Sequence, residues 1–384
     1  MSAPGPRRRP DVVVIGGGIM GCAIAYRLAA RALAVTVIEK AIPGAEASSA
    51  AAGMLAPQME ADGAGPLLEL GLRSRALYPA VAAELRDATG IDIGYLKCGV
   101  IMVALSDDHE RALVARRTWQ LARGLRVETL SAAALAELEP AVDSGGAGGA
   151  GGRTGLRFPD EAQVHPPSLA RAYSQAAARS GVSFVQGRVV RRVLVAGDRV
   201  TGVELDGDTL DAGAVVVAAG SWSGLVDGAG LTAGMVRPAR GQLVAIETRP
   251  PLFRHVLSVP HRGYLVPRPD GTVVAGSTVE MVGFRKEVTV GGLADILDLT
   301  RRLVPALADA PVTASWSNFR PHTADLLPIL GGTGVRGLYV STGHYRNGIL
   351  LGPITADAMA ALVATGNAGI DLAPFALARF GAPA

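Results

Sequence analysis

Three glycines and a glutamate near the start of the chain have the types and spacing of a nucleotide-binding site. Gly16, Gly18 and Gly21 directly follow the apolar run Val12–Ile15, and Glu39 ends a second apolar run. The first glycine permits a tight turn, the second lets the backbone approach a pyrophosphate, and the third lets helix and strand pack closely. The helix N-terminus would offer N–H groups to the phosphates, and the carboxylate would accept hydrogen bonds from ribose hydroxyls. We therefore predict a dinucleotide-binding βαβ unit.

The surroundings of this motif decide between a ligand site and a merely structural glycine turn. The chain contains 49 glycines, so a Gly-x-Gly-x-x-Gly match can arise by chance. Here a β-branched run precedes the motif, a helical pattern follows it and an acid ends the next run, which favours dinucleotide binding. The motif does not by itself distinguish NAD from FAD.

Two further segments have the composition of a ligand-contacting backbone. The stretch GAEASSAAAGMLAPQ (44–58) is either a flexible surface loop or backbone packed against a flat ligand, and its tiny side chains favour the second. The stretch TGHYRNGILLGPITADAMAALV (342–363) follows a predicted strand at 338–341 and leads into an apolar helix. Such a turn belongs at the carboxyl end of a parallel sheet, where these folds bind ligands.

These two segments also carry a family resemblance. The sequence SSAAAGMLAP after Glu39 and the sequence GHYRNGILLGPITA near the C-terminus resemble the glycine oxidases of thiamine biosynthesis. That group is part of the D-amino-acid oxidase family of FAD-dependent amine oxidases. The resemblance covers nearly the whole chain, with two specific end motifs and a middle that is matched more loosely.

The resemblance implies a non-covalent FAD. Backbone N–H groups from about 347–350 would face the pyrimidine edge of the flavin, which becomes anionic on reduction. Covalent attachment is not expected, because neither Cys22 nor Cys98 lies near the C-terminal motif. The residues implied to bind the cofactor are Gly16, Gly18, Ile19, Met20, Gly21, Glu39, Lys40, Ala47, Ser48, Ala52, Gly53, Met54, Val189, His344, Tyr345, Arg346, Asn347, Gly348, Ile349 and Leu350.

Three residues match substrate-cleft positions of the glycine oxidases. Arg320 in SNFRPHTADLLPI is implied to hold the amino acid carboxylate, which a planar guanidinium fits through two parallel N–H···O bonds. Tyr264 is implied to donate its hydroxyl to the same carboxylate, and Arg346 to add positive charge at the cleft.

The implied reaction is α-amine oxidation of glycine, sarcosine or a small D-amino acid, with hydride passing from Cα to the flavin. Hydrolysis of the imine gives a keto acid and ammonia, and dioxygen reoxidises the flavin to give hydrogen peroxide. We assign no acid or base, because a neutral amine needs none; His344 is either catalytic or a satisfied loop histidine. Val279 is expected to line a slightly altered pocket, and the three lysines fall outside the matched cleft motifs.

The order of elements predicts a combined α/β and α+β fold, with a Rossmann-like βαβ FAD domain interleaved with an antiparallel-sheet substrate domain, as in D-amino-acid oxidases. Segments 1–85, 160–225 and 320–384 are assigned to the FAD domain, and segments 86–159 and 226–319 to the substrate domain. Helices are predicted at 66–90, 107–122, about 131–138 and from about 167; strands at 94–105, 183–186 and 215–219; a hairpin about a turn at 269–271; and a flexible loop at 143–155.

Composition argues against several classes of protein. The formal charge is +3 and the pI about 9.0, but the one basic run is Arg7–Arg9, so no nucleic-acid surface is expected. Two cysteines and six unclustered histidines indicate neither a disulfide framework nor a metal site. Glycines interrupt the N-terminal apolar stretch, so we expect no signal peptide, no membrane span and a cytoplasmic protein.

Two alternatives to a glycine oxidase stay open. One is a D-amino-acid or N-methyl amino acid dehydrogenase that passes electrons to an acceptor other than dioxygen. The other is a flavin-binding protein without turnover. Beyond the small amino acid and dioxygen, the resemblance suggests a homo-oligomer, with a homotetramer as its form.

Overall fold

Two large sheets organise the chain in the computed structural model, which describes residues 9–145, 152–232 and 234–381. Part of the predicted loop at 143–155, namely 146–151, therefore lies outside the described residues. The helices are α1 (Ile19–Ala29), α2 (Ala47–Ala50), α3 (Pro57–Glu60), α4 (Pro66–Thr89), α5 (Asp107–Ala122), α6 (Ala132–Leu138), α7 (Pro166–Arg179), α8 (Val290–Leu303) and α9 (Gly348–Thr365). The strands are β1 (Val12–Ile15), β2 (Val35–Glu39), β3 (Met54–Leu55), β4 (Val100–Val103), β5 (Glu128–Leu130), β6 (Gly155–Phe158), β7 (Ala162–Gln163), β8 (Ser183–Gln186), β9 (Val190–Ala196), β10 (Arg199–Leu205), β11 (Asp208–Asp211), β12 (Ala214–Val217), β13 (Arg237–Glu247), β14 (Val256–Val259), β15 (Gly263–Pro267), β16 (Thr272–Gly276), β17 (Val312–His322), β18 (Ile329–Gly332) and β19 (Leu338–Thr342).

The first sheet has six strands in the order β18-β19-β12-β1-β2-β8, and all its neighbours are parallel except β18 and β19. Strand β1 lies inside it and is buried on both faces, as its unbroken β-branched run predicts. Val12 and Val14 pack under helices α1, α4, α7 and α9, while Val13 and Ile15 pack under the antiparallel β11-β10-β9 sheet. The predicted βαβ unit is confirmed.

The second sheet has eight strands in the order β17-β13-β16-β15-β14-β4-β6-β5. It is antiparallel as predicted, with one exception, because β4 and β14 run parallel. The predicted hairpin is confirmed: β15 and β16 pair through a turn in which Gly271 adopts φ +92, a backbone conformation open to glycine. The predicted strand at 94–105 is shorter, at Val100–Val103.

The strands of the six-stranded sheet all lie in the segments predicted for the FAD domain. Strand β17, however, runs through the predicted boundary at 319/320 and places Arg320 on the eight-stranded sheet. The assignment of these segments to two domains stays a prediction.

Helix α9 contains a proline, Pro353, that removes one backbone hydrogen bond of the helix. Pro353 has no N–H, so the carbonyl of Ile349 lacks its helical donor. The hydroxyl of Tyr78, on α4, is fully buried and donates to that carbonyl. One turn earlier on α4, the Ser74 hydroxyl donates to the carbonyl of Leu350 at 2.6 Å. Helix α4 therefore completes the backbone bonding of α9 beside the proline.

By length and composition, the stretch Tyr345–Thr365, which includes α9, is apolar enough to cross a membrane. In the structure, 61% of the most apolar 18-residue part of this stretch is buried inside the fold. Leu351 and Met359 belong to the core that α1 and α4 share with it.

We expect Tyr78→Phe to lower the free energy of unfolding by about 1–3 kcal/mol, because it leaves a buried carbonyl without a donor. Denaturant unfolding measures the change. Tyr173→Phe is the matched control, since the Tyr173 hydroxyl is also buried but finds no hydrogen-bond partner among the residues that the structure describes, and its loss should cost no stability. Equal destabilisation by both variants would contradict the role given to Tyr78.

Candidate active site

A cavity of about 430 Å³ lies at the carboxyl ends of β1, β2, β12 and β19, between the two sheets. Open α/β sheets bind ligands at this edge because loops diverge there. The cavity is lined by residues from the glycine motif, from the 44–58 stretch, from the turn before α9 and from the eight-stranded sheet. Residues from 15–60 and from 341–349 thus meet at one site.

The glycine motif has the geometry that its spacing predicts. Gly16 adopts φ +103, and a Cβ there would lie 2.6 Å from the carbonyl oxygen of Ala218. At Gly21 a Cβ would lie 1.9 Å from the carbonyl oxygen of Gly16, so this glycine allows α1 to approach β1. Gly18 faces the cavity, and a Cβ there would meet only the Ser48 hydroxyl, at 3.3 Å. Gly21 serves packing and does not line the cavity.

Glu39 ends β2 at the cavity wall, and the backbone fixes its carboxylate. Its Oε2 accepts from the Gly17 N–H at 2.7 Å and its Oε1 from the Ala41 N–H at 2.9 Å. The side chain lines the cavity, so its remaining lone pairs can accept hydrogen bonds from hydroxyl groups of a ligand there. Next to it, Lys40 Nζ lies 3.1 Å from Glu46 Oε1 and 3.3 Å from the centre of the Trp222 ring.

The 44–58 stretch is packed backbone and contains α2, β3 and the start of α3. Ala47, Ser48, Ala52, Gly53 and Met54 all line the cavity. The Ile19 N–H, in the first turn of α1, donates to the Ser48 hydroxyl at 2.9 Å. Small side chains in this stretch therefore bring its backbone close to α1 and to the cavity. This favours packed backbone at a ligand site over a flexible surface loop.

The turn before α9 brings four consecutive residues to the cavity: His344, Tyr345, Arg346 and Asn347. Tyr345 adopts φ +46, which is unusual for a residue other than glycine and occurs mainly at functional sites. The first-turn N–H groups of Gly348 and Ile349 have no acceptor within the helix, and both residues line the cavity. No side chain among the described residues caps this end of α9.

Two details of this turn differ from the sequence-based expectation. The Asn347 N–H, expected to face the ligand, donates to the His344 carbonyl at 2.8 Å. Leu350 does not line the cavity; its side chain is buried in the core because it lies on the inner face of α9. Apart from Leu350 and Gly21, the cofactor residues predicted from the sequence, including Met20 and Val189, do line the cavity.

Arg320 presents a guanidinium that no carboxylate pairs with among the described residues. Its Nη1 donates to the Thr278 carbonyl at 3.1 Å and its Nη2 to the Ser277 hydroxyl at 2.6 Å. These neutral partners orient the group and leave further N–H donors for an anion. The guanidinium lies across Gly241, where a Cβ would come within 2.1 Å of Nη1. Gly241 is thus the residue that makes room for Arg320.

Tyr264 lines the same cavity from β15 and is 5% exposed. It pairs across the hairpin with Gly276, where a Cβ would lie 3.3 Å from the Tyr264 hydroxyl. Arg320 and Tyr264 therefore both come from the eight-stranded sheet and line the part of the cavity opposite the glycine motif.

Arg346 is placed in the cavity but carries a partner that the sequence did not indicate. Its Nε lies 3.0 Å from Glu60 Oε2, and its Nη2 donates to Glu60 Oε1 at 3.2 Å. The Glu60 carboxylate raises the pKa of Arg346 and offsets its charge. The expectation that Arg346 adds net positive charge to the cleft is therefore corrected: the pair is close to neutral.

The Arg346–Glu60 pair also lines a second cavity, of about 130 Å³. Val279 lies in this second cavity and not in the main one, so the expected change in the main pocket is wrong. Val279 directly follows Ser277 and Thr278, which bind the Arg320 guanidinium, and its own side chain is 48% exposed.

A buried polar network holds the short helix α3, which carries Glu60. The centre of this network is Gln58, whose N–H donates to Glu161 Oε1 at 2.8 Å and whose side chain bonds Gln120 and Arg75. Glu161 is fully buried, and burial outweighs the nearby Arg75 and raises the pKa of its carboxyl to about 8. The position of Glu60 thus depends on contacts far away in sequence.

His344 is 3% exposed, and its Nε2 lies 3.3 Å from the Thr355 hydroxyl. Burial lowers the pKa of the imidazole to about 3, so the ring is uncharged at neutral pH. Of the two expectations for His344, the burial and the Thr355 contact favour the satisfied loop histidine.

Comparisons with known proteins agree on one family. The family model described as FAD dependent oxidoreductase matches residues 11–362. The chain is 38% identical to a glycine oxidase of Geobacillus kaustophilus over 377 residues, which is 97% of each protein. The crystal structure of glycine oxidase from that organism matches with a TM-score of 0.90 and 37% identity, over 97% of this chain and 99% of the other. A bifunctional protein ThiO/ThiG of Trichormus variabilis is 34% identical over 96% of this chain, which spans 55% of that protein.

We expect Gly241→Ala to weaken the binding of a small carboxylate such as acetate at least about tenfold, because the added methyl group displaces the Arg320 guanidinium and its charge-assisted hydrogen bonds. Calorimetric titration measures the affinity. Gly332→Ala is the matched strand control, since its Cβ would meet nothing nearer than 3.9 Å. Unchanged acetate affinity in Gly241→Ala would contradict this arrangement.

We expect the buried neutral His344 to make the protein sensitive to acid. Between pH 6.5 and about 3 the unfolded chain binds a proton at this residue that the folded chain does not. His344 therefore lowers the free energy of unfolding by about 1.4 kcal/mol for each pH unit below 6.5. Unfolding of wild type and His344→Gln at pH 7.5 and 5.5 measures it, with the exposed His261→Gln as control. The same pH dependence in wild type and His344→Gln would refute the assignment.

Proposed function

The chain belongs to the family of FAD-dependent oxidoreductases, and we propose that it uses FAD to oxidise glycine. The overall reaction converts glycine, dioxygen and water to glyoxylate, ammonia and hydrogen peroxide. Sarcosine and small D-amino acids belong to the same substrate class. The observation that carries the proposal is the guanidinium of Arg320, which lines the cavity without an acidic partner among the described residues.

The residues at the carboxyl edge of the six-stranded sheet fit a dinucleotide. Gly16 and Gly18 leave the backbone open to a pyrophosphate, and Glu39 offers lone pairs to ribose hydroxyls. The N-terminus of α9 would present the Gly348 and Ile349 N–H groups to the ring system. FAD supplies a two-electron acceptor for the hydrogen on the substrate α-carbon. Positive partial charge at a helix N-terminus favours the reduced, anionic form.

The substrate end of the cavity fits a small amino acid. Arg320 would receive the carboxylate in two parallel hydrogen bonds, with the Tyr264 hydroxyl as a further donor. The carboxylate then fixes the orientation of the α-carbon before the reaction, and this orientation accounts for much of the rate acceleration.

The chemistry needs no side-chain base when the amine arrives uncharged. His344 contacts the Thr355 hydroxyl and Glu60 is paired with Arg346, so each of these groups already has a hydrogen-bond partner in the protein. We expect the Arg346–Glu60 pair, which lines both cavities, to bound the space beyond the α-carbon and to disfavour bulky side chains.

The names of the relatives also bear on the biological role. The ThiO/ThiG proteins join a glycine oxidase-like half to a second half in one chain. We infer that the product of this reaction supplies thiamine biosynthesis, with dioxygen as electron acceptor.

Anaerobic addition of glycine to the purified holoenzyme tests the function. We expect the visible flavin absorbance to bleach and then to recover with release of peroxide when air is admitted. Arg320→Ala should raise the KM for glycine about 100-fold, and Arg320→Lys should fall between it and wild type, because a lysine keeps the charge but loses the planar fork.

Each result of this test has one meaning. Bleaching without release of peroxide would mean that the reduced flavin passes its electrons to an acceptor other than dioxygen, so that the protein is a dehydrogenase. A holoenzyme that no small amino acid bleaches would be a flavin-binding protein without this activity. Wild-type kinetics in Arg320→Ala would refute the carboxylate site.

A further inference from the structure

An exposed segment between β16 and α8, residues 280–289, links the two halves of the cavity wall; we call it the strap. Apart from a single bridge between Glu280 and Arg240, it has no regular secondary structure. Exposed segments without helix or strand are ordinarily mobile, so the contacts that hold this one are informative.

One end of the strap is fixed to the eight-stranded sheet. Arg240, on β13, is 4% exposed; it forms an ion pair with Glu280 and donates from Nη1 to the Glu287 carbonyl at 2.9 Å. The Ser317 hydroxyl, on β17, donates to the Lys286 carbonyl at 2.6 Å. These bonds fix the strap backbone on either side of Phe284.

The other contacts of the strap are with residues that line the cavity. The Phe284 ring stacks on Trp222, with centroids 5.2 Å apart and planes at 28°, and meets the Phe319 ring edge-on at 5.4 Å. Lys286 Nζ lies 2.7 Å from Glu46 Oε2. Trp222, Phe319 and Glu46 line the cavity, whereas Phe284 and Lys286 lie behind them.

These lining residues lie beside the ribose-binding acid. Lys40, the neighbour of Glu39 in sequence, contacts both the Trp222 ring and the Glu46 carboxylate. The strap therefore holds the wall beside the dinucleotide. Phe284 is 41% exposed, so its ring contributes little to the core, and its clearest contacts are with two rings of the cavity wall.

We propose that Phe284 and Lys286 retain the cofactor: through Trp222 and Glu46 they keep the cavity wall closed on FAD and slow its release. A wall that swings outward must separate the stacked rings and the Lys286–Glu46 ion pair while Arg240 holds the strap in place. This inference rests on FAD binding alone and is independent of which amine is oxidised.

The test is FAD exchange rather than turnover. Apoprotein is titrated with FAD while flavin fluorescence is followed, and release from the holoprotein is timed after dilution. Phe284→Ala should raise the Kd about three- to tenfold, mainly through faster release, because an aromatic pair contributes an interaction of that size. Phe284→Tyr should keep the wild-type rate, since it keeps the ring.

Met281→Ala is the matched control, because Met281 is a 54% exposed apolar residue of the same strap, and it should leave FAD release unchanged. Lys286→Ala should speed release about twofold and reduce its dependence on salt, as expected of an exposed ion pair.

The proposal is overturned if Phe284→Ala releases FAD at the wild-type rate, or if Met281→Ala speeds release equally. Unfolding of the apoprotein variants separates local loosening from general instability. If Phe284→Ala does not fold, the Phe284→Tyr and Lys286→Ala pair decides: wild-type release in Lys286→Ala refutes the closed wall. Normal FAD exchange together with absent glycine oxidation would instead count against the proposed substrate.

Discussion

The candidate site depends on how the Arg320 guanidinium is held: its partners are neutral, and no carboxylate in the described part of the chain pairs with it. A partly buried guanidinium is held at a cavity wall at a cost in hydration, and proteins usually offset that cost with a carboxylate. Arg320 is oriented by a carbonyl and a hydroxyl instead, so its charge stays available to an anion in the cavity. Arg346, which follows Arg320 in the chain after β18 and β19, has its charge offset by Glu60. The two arginines therefore have different roles although the sequence presents them alike.

The fold brings this charge to the dinucleotide edge through two sheets of different character. The parallel strands β1, β12 and β19 align the glycine motif and the turn before α9 at one edge. The long antiparallel pair of β13 and β17 extends past that edge, places Arg320 opposite Ala239 in register, and leaves Gly241 beneath the guanidinium. A parallel sheet alone would supply the cofactor edge but no second wall. The cleft exists because one chain builds both.

The sequence predicted those parts of the fold and site that depend on local pattern. Gly16, Gly21 and Glu39 could be assigned because each acts within one βαβ unit, where spacing fixes geometry. Glu60, Gly241 and Trp222 were missed because their importance comes from neighbours on distant strands or helices. The turn GSWSG after a buried strand was the one available signal for Trp222. Asn347 and Val279 were misplaced for the same reason, since the direction of a single N–H or side chain in a turn depends on tertiary contacts.

Tyr78 compensates for the backbone donor that Pro353 lacks in α9. The proline withholds a donor from the Ile349 carbonyl and the tyrosine provides one from another helix. A phenylalanine at 78 would leave this carbonyl without a donor, whereas a residue with an N–H at 353 would add a second donor to the same oxygen. The dependence therefore runs in one direction, from the proline to the tyrosine. Because Ile349 lines the cavity and Tyr78 does not, the beginning of α9 is held at the site by a hydroxyl group that lies outside the cavity wall.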